Sequence, residues 1–288
     1  MKMEGAAMSS TWRGSAALAA LTATALLAAQ LGTATPAAAA PGPPPGSIAS
    51  MGDSISRGFN ACGWYVDCPS RSFSTGTDSA VNSQYLRIKA VNPAINGRNL
   101  NDAKSGAKVA DMPGQAATVV SQGAAYVTIL IGANDACTSS EASMTSVAAF
   151  RSSLDSALGT LKAGLPDAKV QLISIPDIKR LWQVGSASSS ARSVWSLFGV
   201  CQSMLANPSS TAAADSARRD RVRQRVADFN GQLASACTAY GANCKYDGGA
   251  VFGYQFTLSQ VSTWDYFHPN ASGQAVLASI TYAAGFGW

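Results

Sequence analysis

The chain has 288 residues and a formal net charge of +5, and 13% of its residues are charged, against roughly 25% in an average soluble protein. This weak positive charge does not favour a nucleic-acid-binding protein, which would carry a dense basic face. Without the amino-terminal targeting segment described below, about 250 residues remain, which is enough for one α/β domain with a large core.

The first 39 residues have the composition of a secretory signal peptide. After a weakly positive start, residues 16–31 form an Ala/Leu/Thr-rich apolar stretch, and an alanine-rich cleavage site follows. A membrane anchor is the alternative, but the apolar stretch is shorter than the ~20 residues that a membrane span needs. We therefore expect cleavage after Ala39 and secretion of the protein.

The rest of the chain is expected to be a single domain. Residues 40–46 are mostly proline and glycine and predict a short, stiff linker, and the domain follows over residues 47–288. Three apolar segments are expected to be buried β-strands: residues 47–51, 125–131 and 169–175. Helical sequence separates the strands, for example at residues 146–161. This alternation predicts a parallel sheet covered on both faces, in which ligands bind beyond the carboxyl ends of the strands.

Two regions after the third strand allow a functional interpretation. Residues 178–212 contain Trp182 and Trp195, and they represent either ordinary packing or a segment that grips an apolar substrate. The functional interpretation of the basic run at residues 218–225 is attraction to an anionic membrane or polymer. The run lies in a segment with apolar residues at helical spacing, however, so its arginines are expected largely on the solvent-exposed face of a helix. No aromatic residues interleave with these arginines, as a single-strand binder requires, so no nucleic-acid partner is expected.

The six cysteines, in a chain with a secretory signal, indicate disulfide bonds formed after export. Short separations favour the pairs Cys62–Cys68 and Cys237–Cys244, which leaves Cys137–Cys201, although the sequence allows other pairings. Zinc is less favoured as an explanation, because the chain has neither tight C-x-x-C pairs nor a mixture of cysteine with several histidines. We expect no metal and no cofactor.

His268 is the only histidine of the chain, so a reaction that needs an imidazole base has one candidate. Asp265 lies three residues earlier, close enough in a turn to accept the Nδ1 proton of the ring and leave Nε2 free as a base. Pro269 disfavours helical conformation at His268 and so indicates a loop there. Asn270 is expected to cap a final helix over residues 271–283.

Ser54 ends the first predicted strand in the sequence Gly52-Asp53-Ser54. A serine hydroxyl is a weak nucleophile unless a base takes its proton, so Ser54 requires His268 within reach. Gly52 is expected to let the chain turn sharply off the strand. Ser54 would then lie near the first turn of the next helix, with its N–H directed into the site.

Further hydrogen-bond donors are expected at the same edge of the sheet. Asn134 follows the strongest predicted strand, and Gly106 lies in a loop where no side chain obstructs its N–H. Together with the N–H of Ser54, these groups would form an oxyanion hole. Asp53 and Asp135 are expected to anchor their own turns.

Four sequence blocks resemble the SGNH, or GDSL-type, hydrolase family and occur in the family's order. They are Gly52-Asp53-Ser54-Ile55, Gly106, Gly132-Ala133-Asn134-Asp135 and Asp265-Tyr266-Phe267-His268. The resemblance implies a three-layer α/β/α fold with a flavodoxin-like, five-stranded parallel sheet. It also implies that Ser54 is the nucleophile, His268 the base and Asp265 the residue that orients the base. Ser54, Gly106 and Asn134 are implied as the oxyanion hole.

Within this family, the chain is similar to secreted actinomycete lipases, esterases and phospholipases, which carry three disulfide bonds between successive cysteines. In some of these relatives a backbone carbonyl replaces the acidic member of the triad, so both a triad with Asp265 and a dyad of Ser54 and His268 remain open.

The resulting hypothesis is a monomeric, secreted hydrolase that cleaves carboxylic esters through an acyl-enzyme on Ser54. Lipid esters, including phospholipids, are the expected substrates, with transient contact with lipid aggregates. A carbohydrate acetyl esterase is the alternative, and acyl transfer to an alcohol would use the same intermediate. A binding module that has lost turnover is a more distant possibility.

Overall fold

The computed structural model of the protein describes residues 42–288. The predicted signal peptide at residues 1–39 and the start of the predicted linker lie outside the described residues. Within residues 42–288, no helix combines the length and the apolar character that a membrane crossing would need.

Five strands form one parallel sheet in the order β2-β1-β3-β4-β5. They are β1 Ile48–Gly52, β2 Asn99–Asn101, β3 Tyr126–Leu130, β4 Lys169–Leu172 and β5 Cys244–Tyr246. β1 and β3 are buried along their whole length, which explains their mostly apolar sequences. The parallel sheet and its flavodoxin-like order confirm the fold implied by the sequence.

The α-helices of residues 42–288 are α1 Gln84–Val91, α2 Met112–Gln122, α3 Ala133–Ala136, α4 Val147–Gly164, α5 Ile178–Gly185, α6 Ser189–Leu197, α7 Gln202–Leu205, α8 Ala213–Tyr240, α9 Ala250–Gly253 and α10 Ala271–Ala283. Short 3₁₀-helices occur at Pro69–Arg71, Pro93–Ile95, Val109–Asp111, Glu141–Ser143 and Leu258–Gln260.

Helices cover both faces of the sheet. The larger core contains Val127 and Ile129 of β3 together with apolar residues of α2, α4 and α8. The smaller core contains Tyr126 of β3 with Tyr85 and Ile88 of α1, and the partly buried Tyr282 of α10 packs against it. Successive residues of a strand point to opposite faces, so a single strand contributes to both cores.

Several helix boundaries follow from local capping chemistry. The side chain of Ser146 accepts a hydrogen bond from the backbone N–H of Ala149 at 3.2 Å and begins α4. Asn270 accepts the N–H of Gly273 at 3.0 Å and begins α10, which confirms its predicted role as a cap.

The expectation that a helix follows Ser54 directly is wrong. Residues 53–62 form a series of turns, and the first α-helix after β1 is α1. Gly58 and Asn60 both have φ of +65°, a left-handed conformation that a right-handed helix does not accommodate. Ser54 is therefore presented by a turn and not by a helix.

The basic segment at residues 218–225 lies in α8, and one of its arginines departs from the expected exposure. Val222 faces the core as predicted, but the Arg219 side chain is fully buried as well. Its guanidinium donates to the backbone oxygens of Ser210 and Asn207, at 2.9 and 2.7 Å, and lies over the Trp182 ring at 4.2 Å. Carbonyl oxygens and an aromatic face thus replace the water that this charge loses on burial.

Three disulfide bonds join the cysteines as Cys62–Cys68, Cys137–Cys201 and Cys237–Cys244. These are the pairs that the separations favour. Cys62–Cys68 closes a short loop downstream of Ser54, Cys137–Cys201 joins the end of α3 to the start of α7, and Cys237–Cys244 joins α8 to β5.

Candidate active site

Gly52 determines how the chain leaves β1. Its φ is +143°, and a Cβ atom at this position would lie 2.2 Å from the backbone oxygen of Leu130. The side chain of Gln115 accepts the N–H of Gly52 at 2.8 Å and donates to its carbonyl oxygen at 2.9 Å. A glycine is therefore required here, and Gln115 fixes the peptide that precedes Asp53 and Ser54. No local sequence signal identifies Gln115.

Ser54, His268 and Asp265 form a continuous hydrogen-bonded chain. The Oγ of Ser54 lies 2.7 Å from His268 Nε2, and Asp265 Oδ2 lies 2.5 Å from His268 Nδ1. Ser54 and Asp265 are both buried. The carboxylate, and not a backbone carbonyl, faces the ring, so the structure has the geometry of a triad. This arrangement favours a proton on Nδ1 and leaves Nε2 free to accept the serine proton.

A tight turn holds Asp265 against the histidine. Its Oδ1 accepts the backbone N–H groups of Phe267 and His268 at 3.0 and 3.1 Å. Between them Tyr266 has φ of +50°, which closes the turn. The carbonyl oxygen of His268 in turn accepts the N–H of Ser262 at 2.8 Å. The predicted loop position of His268 is thus confirmed, and hydrogen bonds hold both ends of this turn in place.

Asn60 contacts the triad, although sequence reasoning missed it. Its Nδ2 donates to Asp265 Oδ2 at 2.7 Å, and its side chain is almost fully buried. The two residues are separated by 205 positions in the chain. No spacing rule connects residues so far apart, so only the folded chain reveals the contact.

Two aromatic rings enclose the imidazole of His268. The rings of Phe59 and Phe267 approach it edge to face, with centroids at 4.9 and 5.1 Å. Phe59 comes from the turns after β1, and Phe267 comes from the histidine loop itself. Two aromatic contacts therefore support the imidazole while its two nitrogens contact Asp265 and Ser54.

The structure brings the three predicted oxyanion donors to the same region. Within the described residues, the backbone N–H groups of Ser54 and Gly106 donate no hydrogen bond. The side chain of Asn134 donates one N–H to the carbonyl oxygen of Ala107 at 2.9 Å, which places it beside Gly106 and leaves its second N–H available. Lys104 N–H bonds to the Gly52 carbonyl oxygen at 3.1 Å and so ties this loop to the end of β1.

Asp53 is a fully buried carboxyl group directly before Ser54. Its Oδ1 accepts the N–H of Ile55 at 2.9 Å, and its Oδ2 has no hydrogen-bond partner among the described residues. Burial raises the pKa of Asp53 to about 7; the Ile55 N–H and the charge of His268 oppose this rise, and the charge of Asp135 adds to it. Asp53 anchors its turn, as expected.

Asp135 plays the same structural part in α3, the short helix that follows β3. Its Oδ1 accepts the Thr145 hydroxyl at 2.7 Å, and its Oδ2 accepts the N–H of Val109 at 2.9 Å. Burial raises the pKa of Asp135, and these two hydrogen bonds oppose the rise.

An apolar cleft with about 600 Å³ of empty space, counted out to its open mouth, lies beside the triad. Part of its wall comes from the direct chain neighbours of Ser54, Asn134 and His268, which are Ile55, Ala133 and Phe267. α5 contributes further apolar residues, and the remaining wall comes from the loops that follow β4 and precede α10. The lining residues are Ile55, Ala133, Pro176, Asp177, Ile178, Leu181, Val184, Phe256, Gln260, Val261, Phe267 and Pro269.

The two tryptophans of residues 178–212 do not line this cleft. Trp195 is fully buried and its Nε1 donates to the carbonyl oxygen of Tyr266 at 2.9 Å. Trp182 donates to the carbonyl oxygen of Pro208 at 2.8 Å. Both rings are held by packing and by hydrogen bonds to the backbone, so the tryptophans support the region, and the aliphatic residues of α5 face the cleft instead.

Comparison with known proteins agrees with the geometry of this site. A protein-family model described as GDSL-like lipase/acylhydrolase matches residues 48–280. No curated protein matches the chain significantly by sequence.

Solved structures share the fold at low sequence identity. An acetyl-xylooligosaccharide esterase from Geobacillus stearothermophilus, solved as a mutant, is 15% identical with a TM-score of 0.53; the match covers 84% of this chain and 94% of that one. A GDSL-like lipase from Parabacteroides merdae is 17% identical with a TM-score of 0.52, covering 83% and 94%. An α/β hydrolase from the metagenome of Lake Arreo is 18% identical, with a TM-score of 0.52 and coverage of 83% and 94%.

Proposed function

The chain belongs to the GDSL-like lipase/acylhydrolase family and is an ester hydrolase, and from this premise we propose that it is a secreted enzyme that cleaves lipid esters through an acyl-enzyme on Ser54. The observation that carries the mechanism is the hydrogen-bonded chain from Ser54 through His268 to Asp265.

In the proposed reaction, the Oγ of Ser54 attacks the ester carbonyl carbon while His268 Nε2 takes the hydroxyl proton. Asp265 stabilises the imidazolium that forms, and Asn60 supports the carboxylate. When the tetrahedral intermediate collapses, His268 gives the proton to the leaving alcohol and the acyl group stays on Ser54. A water molecule, deprotonated by His268, then attacks the acyl-enzyme and releases the acid.

The tetrahedral intermediate carries a negative oxygen that needs hydrogen-bond donors. The free backbone N–H groups of Ser54 and Gly106 and the second amide N–H of Asn134 are proposed to supply them. Ser54 would thus serve twice, with its hydroxyl as nucleophile and its N–H as donor.

The apolar cleft supports a lipid substrate. Its walls are mostly aliphatic and aromatic, with Asp177 and Gln260 as the polar exceptions. A longer acyl chain would bury apolar surface along these walls, and an acetyl group would bury less of it.

Secretion is proposed on two grounds. The amino-terminal composition is that of a signal peptide, and the cysteines of residues 42–288 are all paired in disulfide bonds, which persist in oxidising compartments.

A carbohydrate acetyl esterase is the second candidate. It would use the same residues for the chemistry, and one observation favours it: a polar surface hollow lined by Asn60, Arg71, Trp264 and Asn270, among others. An aromatic ring beside polar groups is the kind of surface on which a sugar ring would pack.

Hydrolysis of a matched panel tests the proposal. The panel contains p-nitrophenyl acetate, p-nitrophenyl palmitate, phosphatidylcholine and acetylated xylan, each with the wild type, Ser54→Ala and the control Ser121→Ala, which changes an exposed serine on α2. Loss of all cleavage in Ser54→Ala alone, with long-chain or phospholipid esters cut by the wild type, supports the proposal. If only acetyl esters are cut, the second candidate replaces it. Cleavage that survives in Ser54→Ala would refute the mechanism.

A further inference from the structure

The loop at residues 62–68, together with Trp264, exposes an unusual amount of aromatic and apolar surface; we call this the entrance loop surface. Trp64, Tyr65 and Val66 are 67%, 62% and 50% exposed, and Trp264 is 46% exposed. The rings of Trp64 and Trp264 lie 6.2 Å apart. Single exposed apolar residues are common on proteins, but a cluster of this kind marks an interaction site.

This surface lies directly beside the triad. The ring of Tyr65 packs edge to face against Phe59 at 4.9 Å, and Phe59 packs in the same way against His268 at 4.9 Å. Phe267, whose ring also packs against His268, lines the apolar cleft. The entrance loop surface and the cleft therefore flank the same histidine.

Several contacts hold the loop in place. Beyond the Cys62–Cys68 disulfide, the N–H of Asn60 bonds to the carbonyl oxygen of Val66 at 2.9 Å, and Trp264 Nε1 donates to the carbonyl oxygen of Gly63 at 2.6 Å. Arg57 forms an ion pair with Asp67 at 3.2 Å. These contacts restrain the backbone of the loop.

Positive charge adjoins the loop. Asp67 also accepts a hydrogen bond from the hydroxyl of Ser105, which joins the loop to the segment that carries Gly106. Lys104 and Lys108 flank Gly106, both are exposed, and neither makes an ion pair within residues 42–288. Two exposed lysines that form no ion pair within residues 42–288, next to an aromatic surface, are complementary to phosphate head groups above acyl chains.

We infer that the entrance loop surface docks the protein on a phospholipid surface. Trp64, Tyr65 and Val66 enter the boundary between head groups and acyl chains, where tryptophan and tyrosine are favoured, and Lys104 and Lys108 face the phosphates. The inference rests on the proposed function in its choice of lipid substrates. A neutral polysaccharide is a less suitable partner, because it has no negative charge to match the two lysines and no apolar chain to cover Val66.

Vesicle binding tests this inference separately from catalysis. The proteins carry Ser54→Ala, so that the vesicles stay intact, and their partition is measured by sedimentation with phosphatidylcholine vesicles, with and without phosphatidylglycerol. Trp64→Ser with Val66→Ser is expected to weaken partition about tenfold or more, since it removes an exposed indole ring and an exposed aliphatic side chain from this surface. Lys104→Gln is expected to weaken partition to the anionic vesicles about fivefold, the equivalent of ~1 kcal/mol for one charge near an anionic surface.

Val91→Ser is the matched control. Val91 is 54% exposed at the end of α1, and the adjoining Asn92 bonds to the backbone of Pro44 and Pro45, which precede β1. It therefore lies at the opposite edge of the sheet from Ser54. Partition of this variant should match that of the parent.

The same substitutions on the Ser54 background give the kinetic readout. Turnover of phosphatidylcholine vesicles should fall about tenfold in the Trp64/Val66 variant, in step with its partition. Turnover of monomeric p-nitrophenyl butyrate should stay within about twofold of wild type, because the triad is unchanged.

Three results would overturn the inference: no partition of the parent protein onto either vesicle, equal loss of partition with Val91→Ser, or binding to acetylated xylan that Trp64→Ser abolishes. Failure of the proposed function is distinguishable, since it would appear as soluble-ester hydrolysis that does not depend on Ser54, whatever the vesicles show.

Discussion

Replacing Asp53 by asparagine should change how the stability of the protein depends on pH. The carboxyl group is fully buried, and burial raises its pKa from the ordinary 3.8 to about 7. A folded state that holds the proton more tightly than the unfolded chain is favoured at low pH. Its contribution is fully present below about pH 4 and is lost as the pH rises through about 7.

The size of the effect follows from those two pKa values. Between them the free energy of unfolding falls by about 1.4 kcal/mol per pH unit, so the full loss is on the order of 4 kcal/mol. Asparagine does not titrate and avoids this loss. Its amide nitrogen would occupy the place of Oδ2, where the described residues offer no partner, and this adds a cost that does not vary with pH.

The measurement is urea unfolding of the wild type and Asp53→Asn at pH 4.5 and pH 8, with the disulfides intact. Relative to the wild type, the variant should gain about 3 kcal/mol of stability between the two pH values, because about 1 kcal/mol of the full loss has already occurred at pH 4.5. Asp167→Asn, at an exposed position, controls for the loss of one charge. A difference between Asp53→Asn and wild type that is the same at both pH values would refute the argument.

Two further substitutions test how the triad and the oxyanion donors work. Asn60→Gly keeps the left-handed backbone but removes the hydrogen bond to Asp265, so kcat should fall about tenfold to a hundredfold with KM nearly unchanged. The control is Asn82→Gly, at an exposed position with φ of +49°. Equal kinetics for the two variants would disprove the role of Asn60. Asn134→Ala removes one proposed oxyanion donor and should lower kcat by about 10²–10³; a loss below about twofold in steady-state assays would exclude Asn134 from the oxyanion hole.

Much of this site was predictable because its signals are local. Asp265 and His268 lie three residues apart, within the reach of one turn, and Asn270 is an ordinary helix cap. Ser54 follows a buried strand whose apolar run marks it in the sequence. Parallel strands bring their carboxyl ends to one edge, so the position of Ser54 at that edge followed from the predicted sheet.

Other features depend on chain segments that the sequence does not relate to one another. Nothing near Asn60 indicates that it will contact Asp265, and the pair formed by Gln115 and Gly52 is equally distant. Arg219 is buried where carbonyl oxygens of a preceding loop and the ring of Trp182 contact its guanidinium group. The helical periodicity of the sequence does not predict these contacts. In these cases the favourable contact exists only after the backbone has been folded.

The sequence by itself therefore identified the candidate residues for the chemistry and determined the class of fold that presents them, because both depend on residue type, short spacing and periodic burial. The tertiary structure alone decided that Asp265 turns its carboxylate to His268, that a turn and not a helix presents Ser54, and that the aromatic loop after Ser54 faces solvent. The physical reason is that orientation and exposure depend on the sum of many weak contacts between distant segments, and these contacts are formed only in the packed chain.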